Sequence, residues 1–228
     1  MERKSVGTVN DMLDVGERPA LIVVDMQNAF CEADGYIARV GLEWRPLREA
    51  VPAMLELVEA ARAAQIPIAY TRFTFEADFS DAGPVMLEQH PELRATGGLV
   101  RGTWDNALID ELQPRDGELV VDKTRNSAFF ATSLEQWLRA REVDTVIVGG
   151  LTTNMCVEST CRDGFSLGFR TILAADASAS VPREAHAAAL ANIEYGFGRA
   201  AGNEQIFAAL RTFAARQHHP LEKGVSDD

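Results

Sequence analysis

Cysteine, histidine and long apolar runs are all scarce in this chain of 228 residues. The three cysteines, Cys31, Cys156 and Cys161, are few and odd in number, which argues against a disulfide framework. Cys156 and Cys161 stand five apart, neither a CxxC nor a zinc-knuckle spacing. The four histidines, His90, His186, His218 and His219, form no HxH or HExxH, so no metal is expected. Gly149 and Gly150 do not make a GxGxxG, and no cofactor is expected either. No apolar run approaches ~20 residues, and MERKSVGTVNDMLDVGERP lacks the apolar centre of a signal peptide. These absences point to a cytoplasmic protein without a membrane segment. Basic residues form no stripe and the net charge is −12, which disfavours nucleic acid and anionic membranes as partners. There is no internal repeat, low-complexity linker or shift in composition. A single domain over 1–228 is expected, with an ordered core of about 18–215 and a polar, frayed tail from His218.

The sequence does contain a regular alternation. Hydrophobic content of 46% and charged content of 25% are ordinary for a globular protein. ALIVVD, IPIAYTRF, ELVVDK, DTVIVGG and FRTILAADA read as strands. Between and after them, RPLREAVPAMLELVEAARAAQ, DNALIDELQP, TSLEQWLRARE, NMCVESTCRDGFSLG, REAHAAALANIEYGF and GNEQIFAALRTFAARQ read as helices. Strands that are nearly continuous in apolar, β-branched residues, alternating with helices, predict an α/β fold with a parallel sheet covered on both faces. Residues 73–104 break the pattern, and so long an irregular stretch is usually a functional loop or lid.

Three residues at strand ends carry the chemistry. Asp25 closes ALIVVD, Lys123 follows ELVVD, and Cys156 lies beyond TVIVGGLTTN where a helix should begin. The pair Gly149–Gly150 permits a tight turn, and Thr153 or Asn154 is a suitable helix N-cap. That places the thiol in a first helical turn, where the positive dipole end favours thiolate. Each residue also has a plain reading. Cysteine is commonly buried for packing, a strand-end aspartate can be solvated or paired, and most lysines lie on the surface. The functional reading gains force because ligands bind at the carboxyl ends of strands in an open parallel sheet. A carboxylate, an ammonium and a thiol converging there supply base, activator and nucleophile. His186, Cys31 and Cys161 read as structural.

LIVVDMQNAF, VDKTRNSAFFATSL and VGGLTTNMCVESTCRDGFSLGF resemble the three motif blocks of the isochorismatase-like cysteine hydrolases, and the resemblance runs from about Ala20 to Phe197. It implies a three-layer, Rossmann-like fold with a six-stranded parallel sheet, an Asp25–Lys123–Cys156 triad and a homo-oligomer, dimer or tetramer. It also implies an oxyanion hole from the Thr152 and Cys156 amides, with a cis peptide between Leu151 and Thr152. The segment TRFTFEADF lacks the Asp-x-His metal motif of nicotinamidases. GTWDNALIDEL with KTRNSAFF is most similar to the ureidoacrylate and biuret hydrolase branch, and the family also holds N-carbamoylsarcosine amidases. That branch makes Trp104 a candidate pocket wall, with Gln27, Phe30 and Asn126 as further candidate substrate contacts. The implied activity is hydrolysis of a small linear amide, ureide or carbamoyl compound by water through an acyl-enzyme. Vinyl ether hydrolysis, in which the thiol would be unnecessary, and a non-catalytic binding module are the alternatives.

Overall fold

The computed structural model describes residues 13–218. The N-terminal segment before Leu13 and nearly all of the tail expected to fray lie outside the described residues. Six strands form one sheet: β1 (Pro19–Val24), β2 (Ile68–Phe73), β3 (Leu119–Lys123), β4 (Thr145–Leu151), β5 (Arg170–Ala179) and β6 (Arg199–Ala201). All neighbouring strands are parallel, in the order β3-β2-β1-β4-β5-β6. The central strands β1 and β4 are buried at every residue, which is why PALIVV and TVIVGGL show no polar alternation.

Three single turns, α1 (Asn28–Cys31), α2 (Tyr36–Arg39) and α3 (Arg45–Arg48), precede the long α4 (Val51–Ala63). The helix expected as one piece over this region is therefore two. Pro52 lacks an N–H and its ring would clash with the carbonyl of Arg48, so the helix stops and restarts. Between β2 and β3 lie α5 (Pro84–Gln89) and α6 (Glu92–Thr96), followed by α7 (Leu134–Arg139), α8 (Glu158–Ser166), α9 (Arg183–Gly196) and α10 (Asn203–His218).

The layering can be read from β4. A Cβ on Gly149 would come within 2.9 Å of Met54 Cε in α4, while Val146, of opposite parity along the strand, faces Gly164 in α8. The helices thus cover opposite faces. α10 joins α4, with Asn203 Nδ2 donating to the Ala53 carbonyl at 2.8 Å. α9 joins α8, with Asn192 Nδ2 donating to Glu158 Oε1 at 3.2 Å. One continuous apolar core runs through the layers. No helix among the described residues is long and apolar enough to cross a membrane.

Two segments differ from expectation. DNALIDELQP is not an α-helix; only Asp110–Leu112 is helical, as a 3-10 helix. Its backbone is engaged elsewhere: Asn28 N donates to the Ala107 carbonyl and Ile109 N to that of Met26, both at 3.0 Å. Residues 73–104, read as a loop, are packed against the core. Phe75 lies 5.2 Å from the Phe73 ring and 5.8 Å from that of Phe79, centroid to centroid. Its N–H donates to Leu99 O at 3.0 Å and its carbonyl accepts from Arg101 N at 2.8 Å. The buried Asp105 carboxylate ties the segment down, accepting from Leu99 N at 2.8 Å, Tyr36 N at 2.9 Å and Arg39 Nη1 at 3.0 Å.

Candidate active site

Growth of the sheet reverses direction between β1 and β4, and a crevice forms at such a switch point beyond the carboxyl ends of the strands. Asp25 directly follows β1 and Cys156 lies five residues past β4. Asp25 has a φ of 51°, a left-handed conformation that aspartate tolerates better than most residues, and it bends the chain off the strand. Its N–H donates to Thr71 Oγ1 at 3.2 Å, and that hydroxyl donates back to Asp25 Oδ1 at 2.6 Å. One carboxylate oxygen is thereby held. The other, Oδ2, lies 2.6 Å from Lys123 Nζ without hydrogen-bond alignment, and both side chains are wholly buried.

Lys123 Nζ also donates to the Arg125 carbonyl at 3.1 Å and to Cys156 Sγ at 3.4 Å, and it stands 4.2 Å from the centre of the Phe73 ring. Burial works against its charge, but the Asp25 carboxylate, and then the Cys156 sulfur, outweigh burial and hold its pKa above the ordinary lysine value. For Cys156 the balance goes the other way. Burial pushes its thiol up to about 12; Lys123 opposes this, while the Asp25 charge reinforces it. The sulfur thus sits between an ammonium that favours thiolate and a carboxylate and burial that oppose it.

Local structure around Cys156 differs from two expectations. Gly149 and Gly150 are not in a turn; they end the extended β4, where a Cβ on Gly150 would meet the Val24 carbonyl at 2.0 Å. Glycine is needed there for close approach to β1, and Gly150 has a φ of 127°. Neither Thr153 nor Asn154 caps the helix. Thr152 holds the cap position, and Thr153–Val157 form one π-helical turn that leads into α8. Thr153 Oγ1 instead meets His186 Nδ1 at 2.8 Å, and Ser180 Oγ donates to Asn154 Oδ1 at 2.8 Å. Below Cys156, Thr160 Oγ1 donates to its carbonyl at 2.6 Å. π-turns of this kind occur often at functional sites. The Leu151–Thr152 peptide is cis.

Cys156 opens into a cavity of about 210 Å³. Phe30, Asn126 and Thr152 are on its wall, but Gln27 and Trp104 are not. The Gln27 amide is buried and used internally, donating to the Phe73 and Asn106 carbonyls at 3.0 and 2.8 Å and accepting from Phe73 N at 2.7 Å. The Trp104 side chain is half exposed, while its carbonyl accepts from Asn28 Nδ2 at 2.8 Å. Gln27 therefore holds the scaffold together through its side chain, and Trp104 through its backbone alone. Residues that the motif reading missed are Thr71 and the walls Tyr36, Leu47, Phe75, Leu93 and Leu99. Thr71 had a signal, being a hydroxyl inside an apolar strand and paired in register with Val24 beside Asp25. A larger depression of about 1000 Å³ lies at the opposite end of the sheet, beside Pro19 and Pro67, and no cysteine borders it. Among the described residues no group of three His, Cys, Asp or Glu side chains is placed to hold a metal.

Fold and site together define a doubly wound α/β protein with a buried carboxylate–ammonium–thiol cluster at its switch point. Residues 19–205 match the isochorismatase domain, and the chain belongs to the isochorismatase family. It is 38% identical over 195 residues to the ureidoacrylate amidohydrolase of Azorhizobium caulinodans, covering 80% of this chain and 86% of the relative. With the ureidoacrylate amidohydrolase of Stutzerimonas stutzeri it shares 36% over 209 residues, 86% of this chain and 83% of the relative. Among solved structures, a cysteine hydrolase from Pseudomonas syringae superposes with a TM-score of 0.78 at 33% identity, covering 86% of this chain and 93% of the other. N-carbamoylsarcosine amidase from Thermoplasma acidophilum gives 0.67 at 28% identity, covering 82% and 97%.

Proposed function

We propose that the chain is a cysteine-dependent amidohydrolase cleaving a C–N bond of a small linear amide, ureide or carbamoyl compound. The observation that carries this reading is the buried cluster at the end of the cavity: Lys123 Nζ is 3.4 Å from Cys156 Sγ and 2.6 Å from Asp25 Oδ2. Asp25 takes the thiol proton, Lys123 stabilises the resulting thiolate and orients Asp25, and Sγ attacks the carbonyl carbon. The amides of Thr152, which precedes the π-turn, and of Cys156, within it, donate to the developing oxyanion. Asp25 returns the proton to the departing nitrogen as the C–N bond breaks and a thioester forms. Water, deprotonated by Asp25, then releases the acid and restores the thiol. Lys123 stabilises the charges that pass through Asp25 and Sγ.

Phe30 and Asn126 contact the substrate in this reading. It is supported by relatives named as amidohydrolases and an amidase over most of the chain. A cytoplasmic setting agrees with three free, buried cysteines. A homo-oligomer, dimer or tetramer, would cover exposed aromatic side chains such as Phe130 and Phe165, and light scattering after gel filtration tests it.

Ammonia release from a panel of amides and ureides, assayed beside Cys156→Ser, tests the function. Release that depends on Cys156 supports it. Full ammonia release in the variant would refute the covalent route, and activity on a vinyl ether in place of any ammonia release would favour acid-only chemistry.

A further inference from the structure

The cavity beside Cys156 is walled chiefly by apolar side chains: Phe30, Leu47, Phe75, Leu93, Leu99 and Met155 all face it. Among the described residues Lys123 is the one lysine or arginine in contact with the nucleophile, and its ammonium is already committed to Asp25, Cys156 Sγ and the Arg125 carbonyl. The carboxyl groups on the wall, Glu43 and Glu92, are of the wrong sign for an anionic ligand. Glu92 is fixed there, accepting from the Tyr36 hydroxyl at 3.0 Å and meeting His90 Nδ1 at 3.2 Å. An ionised carboxylate buried here would have no partner, a steeply unfavourable arrangement.

We propose that this site recognises an uncharged amide or ureide bearing an apolar group of about phenyl or branched-alkyl size, and selects against substrates bearing a carboxylate, as ureidoacrylate does. The size follows from volume: an apolar cavity of about 150 Å³ accommodates benzene, and this one is about 210 Å³, leaving room for the amide at Cys156. Asn126, Thr152 and Asn154 supply the few polar contacts that orient that amide. One guanidinium stands nearby. Arg125 borders an adjoining depression that shares Met86, His90, Asn126 and Met155 with the cavity, and it makes no ion pair among the described residues. Its Nη1 donates to the Thr124 carbonyl at 2.6 Å and the Asp81 carbonyl at 3.4 Å. It does not line the cavity itself.

The substrate class deepens the hydrolase reading and rests on it, so binding and turnover are measured separately. Calorimetry on Cys156→Ala, which lacks a nucleophile and cannot turn over by the covalent route, compares benzamide and phenylurea with 3-ureidoacrylate and 3-ureidopropionate. The expected result is binding at least about tenfold tighter for the uncharged pair. Leu42→Arg, an exposed position on the cavity rim, should move that ratio about tenfold toward the carboxylates. Tighter binding of the carboxylates overturns the proposal, and its loss in Arg125→Ala would assign the anion to Arg125. An unchanged ratio in Leu42→Arg also counts against it. Ammonia release by the unmodified enzyme reports on the hydrolase reading alone: tight binding of benzamide without turnover would sink that reading and leave the selectivity standing.

Discussion

Lys123 Nζ reaches to 2.6 Å from Asp25 Oδ2 although the strands that carry the two residues are not neighbours. β2 lies between them, so their backbones are separated by about two strand spacings, roughly 9–10 Å. Phe73 is the residue of β2 in register with Lys123, and the ammonium lies 4.2 Å from the centre of its ring. The length of a lysine side chain is what closes the gap. Its buried position also makes the ion pair hard to remove one member at a time.

Lys123→Met is expected to lower stability by about 3–5 kcal/mol, because it leaves the Asp25 charge buried without a partner. The double variant Asp25→Asn with Lys123→Met should recover most of that loss while remaining inactive. Urea unfolding of the single and double variants checks it; equal destabilisation by both would mean that packing, not charge, is at stake.

Cys156→Ala should lower kcat by about 10⁶-fold, the order seen when a nucleophile is removed from a catalytic triad. Iodoacetamide should modify Cys156 ahead of Cys31 and Cys161. Burial raises all three thiols, so the difference lies in access: Cys156 alone of the three opens into the cavity. Peptide mapping alongside residual activity measures this, and faster labelling of either other cysteine would contradict it.

Thr71→Val removes the hydroxyl that donates to Asp25 Oδ1 at 2.6 Å and leaves a buried oxygen unsatisfied. A loss of about 1–3 kcal/mol in stability is expected. Because Thr71 orients the base and does not line the cavity, kcat should fall with KM nearly unchanged. A rise in KM with kcat unaltered would show that the hydroxyl does not serve the base.

Stability should fall as pH rises above about 9. Folding holds Cys31 and Cys156 up to about 12 from an ordinary 9.0, and Cys161 is raised as well, so above pH 9 the unfolded chain has released thiol protons that the folded chain keeps. Each such group removes up to about 1.4 kcal/mol per pH unit until its folded pKa is reached. Lys123 acts in the same direction: its raised pKa contributes stability that is full below 10.5 and is lost as pH climbs through the folded value. Urea midpoints measured from pH 8 to 11 should decline, and Cys161→Ala should make the decline shallower. A flat profile would refute the assignment.

Activity should persist after dialysis against EDTA, since the proposed chemistry is carried by Asp25, Lys123 and Cys156. Restoration of a lost activity by added metal would contradict this.

Much of the scaffold was legible in the sequence for a physical reason. Strands covered on both faces must be apolar throughout, so ALIVVD and TVIVGG announce themselves, and the first polar residues after them mark the carboxyl ends where ligands bind. The final strand, Arg199–Ala201, did not stand out in the pattern because its three residues, RAA, carry no β-branched side chain; only the family resemblance implied a sixth strand. DNALIDELQP misled because its apolar residues match helical spacing while its backbone hydrogen bonds go to residues 26–28, far away in sequence. The cavity walls were hidden for the same reason. Tyr36, Leu47, Leu93 and Leu99 converge from short helices and a turn in two stretches far apart in sequence, and nothing local in either marks them as a common surface.

The seam between β1 and β4 divides the site into two halves. Asp25 and Lys123 belong to the strands on one side, β1 to β3, and Cys156 to those on the other, β4 to β6. A chain emerging in order therefore completes the acid–base half long before its nucleophile exists. Even then the thiol gains its partners only when β4 docks along β1, with Gly150 passing close against Val24. The reactive arrangement is in this sense a readout of the finished sheet, absent from any intermediate in which the two halves have yet to meet.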